Sequence, residues 1–220
     1  MKQYNGEKAI ISLTSWKARI NTVGLTLFSL YKKCPGFHIV LVLSEEEFPK
    51  KEAELPDSIM AFVDQDLIEI LWVYKNYKSF KKVLFTMQKY KHIPIISADD
   101  DCIYTCNYAK ELYNVWINNK EKCISAGVAK QDGFTYTCGA STLYAPNCFK
   151  NMGIENIELV FKFGGNDDAF IGALYKKLNI GCISINKRHF VFHDDVKAMS
   201  VLEKYNAKRD LYNFYNSIRG

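Results

Sequence analysis

Asp99, Asp100 and Asp101 follow one another directly after a short apolar run, Pro94-Ile95-Ile96-Ser97-Ala98. The run reads as a buried strand, so the three carboxylates stand at a strand end. Adjacent negative charges repel and raise one another's proton affinity, so a fold that places three together needs a counter-charge. A divalent cation meets that need, because hard cations prefer carboxylate oxygens and Mg2+ or Mn2+ commonly arrives with substrate phosphates. The alternative is a solvated acidic turn that caps the next helix. Two further acidic groups have the same setting: Asp167-Asp168 after Gly164-Gly165-Asn166, and His193-Asp194-Asp195 after Phe190-Val191-Phe192. In each, an apolar segment meets a loop.

The elements that must carry these residues alternate. Lys8 to Leu13 forms a first strand and runs into the polar loop Thr14-Ser15-Trp16-Lys17-Ala18-Arg19. Leu25, Leu27, Phe28, Leu30 and Tyr31 mark a helix that Cys34-Pro35-Gly36 stops. His38 to Leu43 is a second strand, after which Ser44 is expected to cap a helix with Glu45, Glu46 and Glu47 in its first turn. Leu67 to Val73 is a third strand, and Phe80 to Lys91 a helix that leads into the strand before the Asp triplet. Alternating strand and helix signals a mostly parallel sheet with right-handed crossovers. Beyond the triplet, Asn107 to Asn119 reads as a helix, Cys123 to Ala126 as a strand, and 127–146 as short strands around a cleft. Ala169 to Leu178 is an apolar helix, Ile180 to Ile185 and Phe190 to Phe192 are the last strands, and the tail from Ser200 is helical.

Length and composition suit one globular domain: 220 residues, 48% hydrophobic and 24% charged. No apolar run is long enough to span a bilayer, and the N-terminus lacks a signal-peptide core. Seven cysteines at irregular spacing do not form a disulfide framework, and Cys102 and Cys106 have no second Cys or His pair that would complete a zinc site. Reduced, packed thiols point to the cytoplasm. A net charge of +5 with 14% aromatics admits phosphate-bearing or membrane-surface partners. Nucleic acid is not expected as a partner. No Gly-rich phosphate loop is present, which removes the P-loop classes.

Order and spacing of several stretches resemble the GT-A class of nucleotide-sugar glycosyltransferases, and more closely the small bacterial enzymes of surface-polysaccharide assembly. The stretches are Ser12 to Ile20, Leu43 to Pro49, Lys78 to Lys82, Ser97 to Asp101, Gly139 to Pro146 and Asn166 to Asp168. The resemblance covers roughly residues 8 to 195. It implies a single-domain, Rossmann-like α/β fold with a mostly parallel central sheet flanked by helices and a smaller mixed-strand acceptor region. Residues 1–106 would be the nucleotide-sugar half, 107–199 the acceptor half and 200–220 a helical tail.

The resemblance also implies roles. Asp99, Asp100 and Asp101 take the place of an Asp-any-Asp motif that holds a metal, Mn2+ or Mg2+, and the donor. Asp101 is expected to ligate the metal directly, with Asp99 nearer the ribose or a metal-bound water. A cation there neutralises charge that builds on the leaving diphosphate. In the loop after the first strand, Thr14 and Ser15 would bond the nucleoside, Trp16 would stack on its base and Arg19 would reach ribose or phosphate. A packed Trp16 and a solvated Arg19 are the competing readings. Lys78 and Lys82, with Lys81, open the helix before the metal strand, either as diphosphate contacts or as a solvated basic face. Asp168 is expected to be the general base of an inverting transfer, with Asp167 orienting the acceptor. Either carboxylate would also stabilise a helix N-terminus. His193 reads as a third protein ligand or as a strand-end His bonded to a neighbour, and a His ligand would favour Mn2+.

The expected function is metal-dependent transfer of a sugar from a nucleotide-sugar donor to a glycan or lipid-linked acceptor of the cell envelope. Two alternatives stay open. A nucleotidyltransferase shares such metal sites but normally carries a Gly-bearing loop after the first strand, and 14–20 has no Gly. A carbohydrate- or metal-binding module without turnover is the other. The tail combines Val201, Leu202, Tyr205, Tyr212 and Tyr215 with Lys204, Lys208, Arg209 and Arg219. It would either pack on the domain or make peripheral contact with anionic lipid.

Overall fold

The computed structural model describes residues 8–131, 133–149 and 167–192. Its centre is a seven-stranded sheet. In chain order the strands and helices are β1 (Ile10–Thr14), α1 (Val23–Lys33), β2 (His38–Ser44), α2 (Asp57–Val63), β3 (Glu69–Val73), α3 (Lys81–Lys89), β4 (Ile95–Ser97), β5 (Cys102–Tyr104), α4 (Tyr108–Trp116), β6 (Cys123–Ser125), β7 (Val128–Gln131), β8 (Phe134–Thr137), β9 (Thr142–Tyr144), α5 (Asp167–Lys177), β10 (Cys182–Ser184) and β11 (Phe190–Phe192). The sheet order is β10-β6-β9-β4-β1-β2-β3. All neighbouring pairs are parallel except those of β9, which runs antiparallel to both β4 and β6. Hairpin β7–β8 and the pair β5–β11 are separate two-stranded ribbons.

The apolar continuity of β1 and β2 has a plain cause: both faces of these strands are covered. Ile11, Leu13, Ile39, Leu41 and Leu43 pack with Val23, Leu27 and Leu30 of α1, Ile59 of α2 and Leu112 of α4. Ile10, Val40 and Val42 point the other way, onto Val83, Leu84 and Met87 of α3 and Phe170, Ile171 and Leu174 of α5. Helices therefore flank the sheet on both sides. The mixed α/β architecture with a mostly parallel sheet is the one expected.

Two local expectations need correction. Ser44 does not cap a helix: it ends β2, and its hydroxyl donates to the Glu47 carboxylate (2.9 Å) across a single turn. Pro49 ends that turn before a helix can propagate. In α1 the residues that bury are Val23, Thr26, Leu27, Ser29 and Leu30, whereas Leu25, Phe28 and Tyr31 are exposed. The helix is set by its contact with β5 and α2 rather than by its largest side chains.

Candidate active site

From β1 the chain winds to β2 and β3 on one side, then returns to place β4 on the other side of β1. The winding reverses between β1 and β4, and the crevice beyond the carboxyl ends of such strands is where open α/β sheets bind ligands. β1 and β4 are parallel and in register, Ser12 beside Ser97. Their outgoing loops, Ser15–Arg19 and Asp99–Asp101, therefore lie side by side.

The central carboxylate of the triplet is the anchor. Asp100 is buried and accepts a hydrogen bond from the Ser15 hydroxyl (2.6 Å) and another from Arg19 Nη1 (2.8 Å), and its backbone carbonyl accepts from Thr26 Oγ1 of α1 (2.9 Å). Burial pushes the Asp100 carboxyl up, against the pull of Ser15 and Arg19. Arg19 Nη1 also lies 3.2 Å from Asp101 Oδ2. The outer two carboxylates are more open: the side chains of Asp101 and Asp99 keep 17% and 32% exposure, against 7% for Asp100. The middle carboxylate is thus turned inward, while the first and third keep part of their surface open beside Lys82 and Arg19.

Asp99 is held on both sides. Its carboxylate pairs with Lys82 Nζ, and its backbone N–H donates to the Tyr104 hydroxyl (3.1 Å), which in turn donates to the Ala140 carbonyl (2.7 Å). Buried Tyr104 thereby ties the triplet to the loop before β9. Lys82 reaches inward because the first turn of α3 is buried on several sides, and a Ser12–Thr86 hydroxyl pair (2.8 Å) locks α3 to β1. Burial would lower the Lys82 ammonium, but Asp99, Asp167 and Asp168 overcome it and hold it well above its ordinary range.

Asp167 and Asp168 open α5. This helix lies on β8 so closely that a Cβ on Gly172 would meet the Thr135 carbonyl oxygen at 2.7 Å. Asp167 is half-buried; burial raises its carboxyl, Lys82 opposes the rise, and Asp99 adds to it. Ser79 hydrogen-bonds it. Exposed Asp168 lies against Gly139, where an added Cβ would stand 3.0 Å from its Oδ1. Glycine at 139 lets this carboxylate sit beside the loop that Tyr104 holds.

Thus Ser15, Arg19, Lys82, Asp99, Asp100, Asp101, Asp167 and Asp168 come together. Three other expected residues stand differently. Thr14 donates its hydroxyl proton to the Val42 carbonyl (2.6 Å), leaving its lone pairs for any further bond. Trp16 is half-buried, its carbonyl accepts from the N–H groups of Arg19 and Ile20, and its Nε1 is buried without a hydrogen-bond partner among the described residues. Lys78 is exposed with φ +48° in a short 3-10 turn (Lys78–Phe80). His193 lies outside the described residues. The sequence marked no role for Tyr104, and Ser79 and Gly139 stood only inside the stretches Lys78 to Lys82 and Gly139 to Pro146, without roles of their own. An aromatic, a hydroxyl and a glycine in short elements carry no spacing signal of their own.

No family model and no curated protein matches this sequence. Among solved structures, one match is the mannosyltransferase PcManGT from Pyrobaculum calidifontis, in complex with GDP-Man and Mn2+, with a TM-score of 0.63 at 11% identity. The alignment covers 97% of this chain and 64% of that one, so this chain spans under two thirds of the neighbour's length. The two share a fold. At this identity the likeness extends to architecture and leaves chemistry to the residues described above. Among the described residues, no helix is long and apolar enough to cross a membrane.

Proposed function

We propose that the protein is a GT-A-type, divalent-metal-dependent glycosyltransferase that moves a sugar from a nucleotide-sugar donor to an acceptor hydroxyl with inversion. One observation carries this reading. At the winding reversal of the sheet, five carboxylates (Asp99, Asp100, Asp101, Asp167 and Asp168) meet three cations, Arg19, Lys82 and, on the Asp100 side, Lys81, among the described residues. The excess negative charge, with Asp99 and Asp101 partly open, fits a hard divalent cation and the diphosphate it accompanies. Asp101 and Asp99 would hold Mn2+ or Mg2+, and His193 is the proposed third ligand. When bound, the ion supplies charge neutralisation for the leaving diphosphate.

The chain's own residues do the rest. Lys82 meets the diphosphate from the α3 side, with Lys78 at the rim. Arg19 and Ser15 fix the triplet, and the Trp16 face and the Thr14 lone pairs offer the nucleoside a stacking and bonding surface. Asp168 takes the acceptor hydroxyl proton as the oxygen bonds the anomeric carbon, and the bond from that carbon to the diphosphate breaks with its electron pair going to phosphate. Asp167 orients the acceptor. The 11%-identical neighbour, whose complex contains GDP-Man and Mn2+, supports a nucleotide-sugar donor. We place the acceptor among glycans or lipid-linked precursors of the bacterial cell envelope, reached from the cytoplasmic face, with residues 200–220 as the membrane-contacting tail of one 220-residue transferase domain.

Nucleotide sugars screened for thermal stabilisation with and without Mn2+ test this, since a ligand that binds only the native state raises stability by RT ln(1 + [L]/Kd). The expected result is Mn2+-dependent stabilisation by one nucleotide series, with slow Mn2+-dependent hydrolysis of the matching sugar donor. Stabilisation without turnover would instead make the chain a binding module. Pyrophosphate release from a nucleoside triphosphate would make it a nucleotidyltransferase.

A further inference from the structure

At the other end of β5 from Asp101, three side chains of different chemistry converge. Cys106 follows β5, Glu111 lies in the first turn of α4, and His189 immediately precedes β11. One ligand atom from each, the Cys106 thiol sulfur, a Glu111 carboxylate oxygen and a His189 ring nitrogen, all lie within 4.8 Å of one another. Among the described residues they are the one group of three such ligands. We propose that Cys106, Glu111 and His189 form a second metal site, for a thiophilic divalent cation such as Zn2+, that braces the frame of the active site and takes no part in transfer.

The geometry carries this in three ways. First, Glu111 Oε2 and His189 Nε2 are 3.1 Å apart. Ligands at about 2.0–2.1 Å from tetrahedral zinc stand roughly that far from each other, and a sulfur at about 2.3 Å adds a slightly longer edge. Second, the outer contacts are already made. His189 is fully buried, and its Nδ1 lies 3.0 Å from the Ser141 hydroxyl. Without an ion, Nε2–H donates to Glu111 Oε2 and Nδ1 accepts from the Ser141 hydroxyl. An ion would take the Nε2 lone pair of the other neutral tautomer, whose Nδ1–H donates to Ser141, the arrangement by which a second hydrogen bond sets the tautomer of a ligating His. Lys187 Nζ holds the far carboxylate oxygen, Glu111 Oε1, at 2.7 Å, so for Oε2 an ion would displace only the His189 N–H. Third, the backbone is pinned. The N–H (2.8 Å) and hydroxyl (3.0 Å) of Thr105 both donate to the His189 carbonyl.

Binding would release the Cys106 thiol proton to solvent, and thiolate plus carboxylate would balance the dication. Mixed sulfur, nitrogen and oxygen ligation selects Zn2+ over Mg2+ or Mn2+, so the two sites would sort their metals by ligand softness. The bracing follows from position. The site joins β5, α4, β11 and the Ser141 loop, and the same β5 and loop are the ones Tyr104 ties to Asp99. This inference does not depend on the glycosyltransferase reading.

Co2+ added to the chelator-stripped full chain is the probe, because thiolate ligation gives a near-ultraviolet charge-transfer band that oxygen ligation does not. We expect one such band at one equivalent, displaced by Zn2+, absent in Cys106→Ser, and unchanged in Cys138→Ser, Cys148→Ser and Asp101→Ala. Ser141→Ala should weaken Zn2+ about 10–100-fold through loss of the outer contact on His189. No band in the wild-type chain, a band that survives Cys106→Ser, or one lost equally in Cys138→Ser would overturn the site. Cys106 is half-buried and the serine change is small, so folding of that variant, checked by circular dichroism, is not at risk.

Discussion

Two clusters of charge on the same sheet follow opposite rules. At its outer edge, on β3, Glu69 is one carboxylate surrounded by donors: Lys89 Nζ at 2.6 Å, the Tyr90 hydroxyl at 2.5 Å and His38 Nε2 at 3.2 Å. At the β1–β4 crevice the ratio reverses, with Asp99, Asp100, Asp101, Asp167 and Asp168 gathered around Arg19, Lys82 and, on the Asp100 side, Lys81. The first cluster is neutralised from within and has a structural role. The second gathers more carboxylates than cations among the described residues, the imbalance on which the proposed metal site rests. Acidity alone therefore does not mark a functional site. The local balance of carboxylates against donors does.

The sharpest way to break that contrast is Asp101→Ala. Transfer and Mn2+-dependent nucleotide binding should disappear while the melting temperature without metal is held, because Arg19 keeps its shorter contact with Asp100. Glu69→Ala should do the reverse, lowering stability and leaving Mn2+ binding untouched. Full activity in Asp101→Ala would remove the metal assignment.

Next in size, Asp168→Asn should keep donor affinity and lose turnover by about 10²–10⁴-fold, the scale of a general base. Exposed Asp168, unlike half-buried Asp167 beside Lys82, has the accessibility an acceptor hydroxyl requires. Donor affinity falling in step with turnover would reassign Asp168 to the donor side.

Arg19→Ala probes the anchor of the negative cluster. Removing one partner of a buried ion pair typically costs about 3–5 kcal/mol. We expect roughly the lower figure in urea unfolding, because burial already raises the Asp100 carboxyl and protonation would relieve the unpaired charge. Arg19→Lys should recover part of it. A loss below about 1 kcal/mol, the scale of a surface pair, would mean that Ser15 alone suffices to hold Asp100.

How much of this was legible beforehand follows from the physics of each element. β1, β2 and the strand before the triplet are apolar on both faces, and a short apolar run bounded by polar turns is a readable signal. The grouping of Asp99–Asp101 with Asp167-Asp168 was suggested by their setting between apolar segment and loop, although the second pair opens α5 instead of ending an element. The division of labour within the triplet was not. Whether Asp100 or Asp101 turns inward depends on Ser15, Arg19 and Thr26, which lie more than seventy residues away in sequence. Ser44 failed as a helix cap for a related reason, since an N-cap pattern predicts a helix only where the following turn can propagate. The convergence of Cys106, Glu111 and His189 was hidden because two ligands come from the β5–α4 junction and the third from the far end of the chain.

Glu69 gives the smallest effect and the cleanest sign. Burial acts to raise its carboxyl, yet hydrogen bonds from His38, Lys89 and Tyr90 and the Lys89 charge hold it down to about 2. A carboxylate depressed on folding stabilises the native state at pH above its unfolded value, near 4.5, and that contribution is lost as pH falls toward about 2. Glu69→Gln keeps much of the shape and cannot titrate. The wild type should therefore exceed the variant at neutral pH by about 2 kcal/mol, from a shift of this size at roughly 1.4 kcal/mol per pH unit, discounted for partial exposure. The gap should hold from pH 7 to about 5 and close between about 4.5 and 2. Urea midpoints of the two proteins at half-unit pH steps measure it. A gap that stays constant across that window would mean the three donors contribute through packing and neutral hydrogen bonds, and the outer-edge cluster would then no longer be an example of internal charge balance.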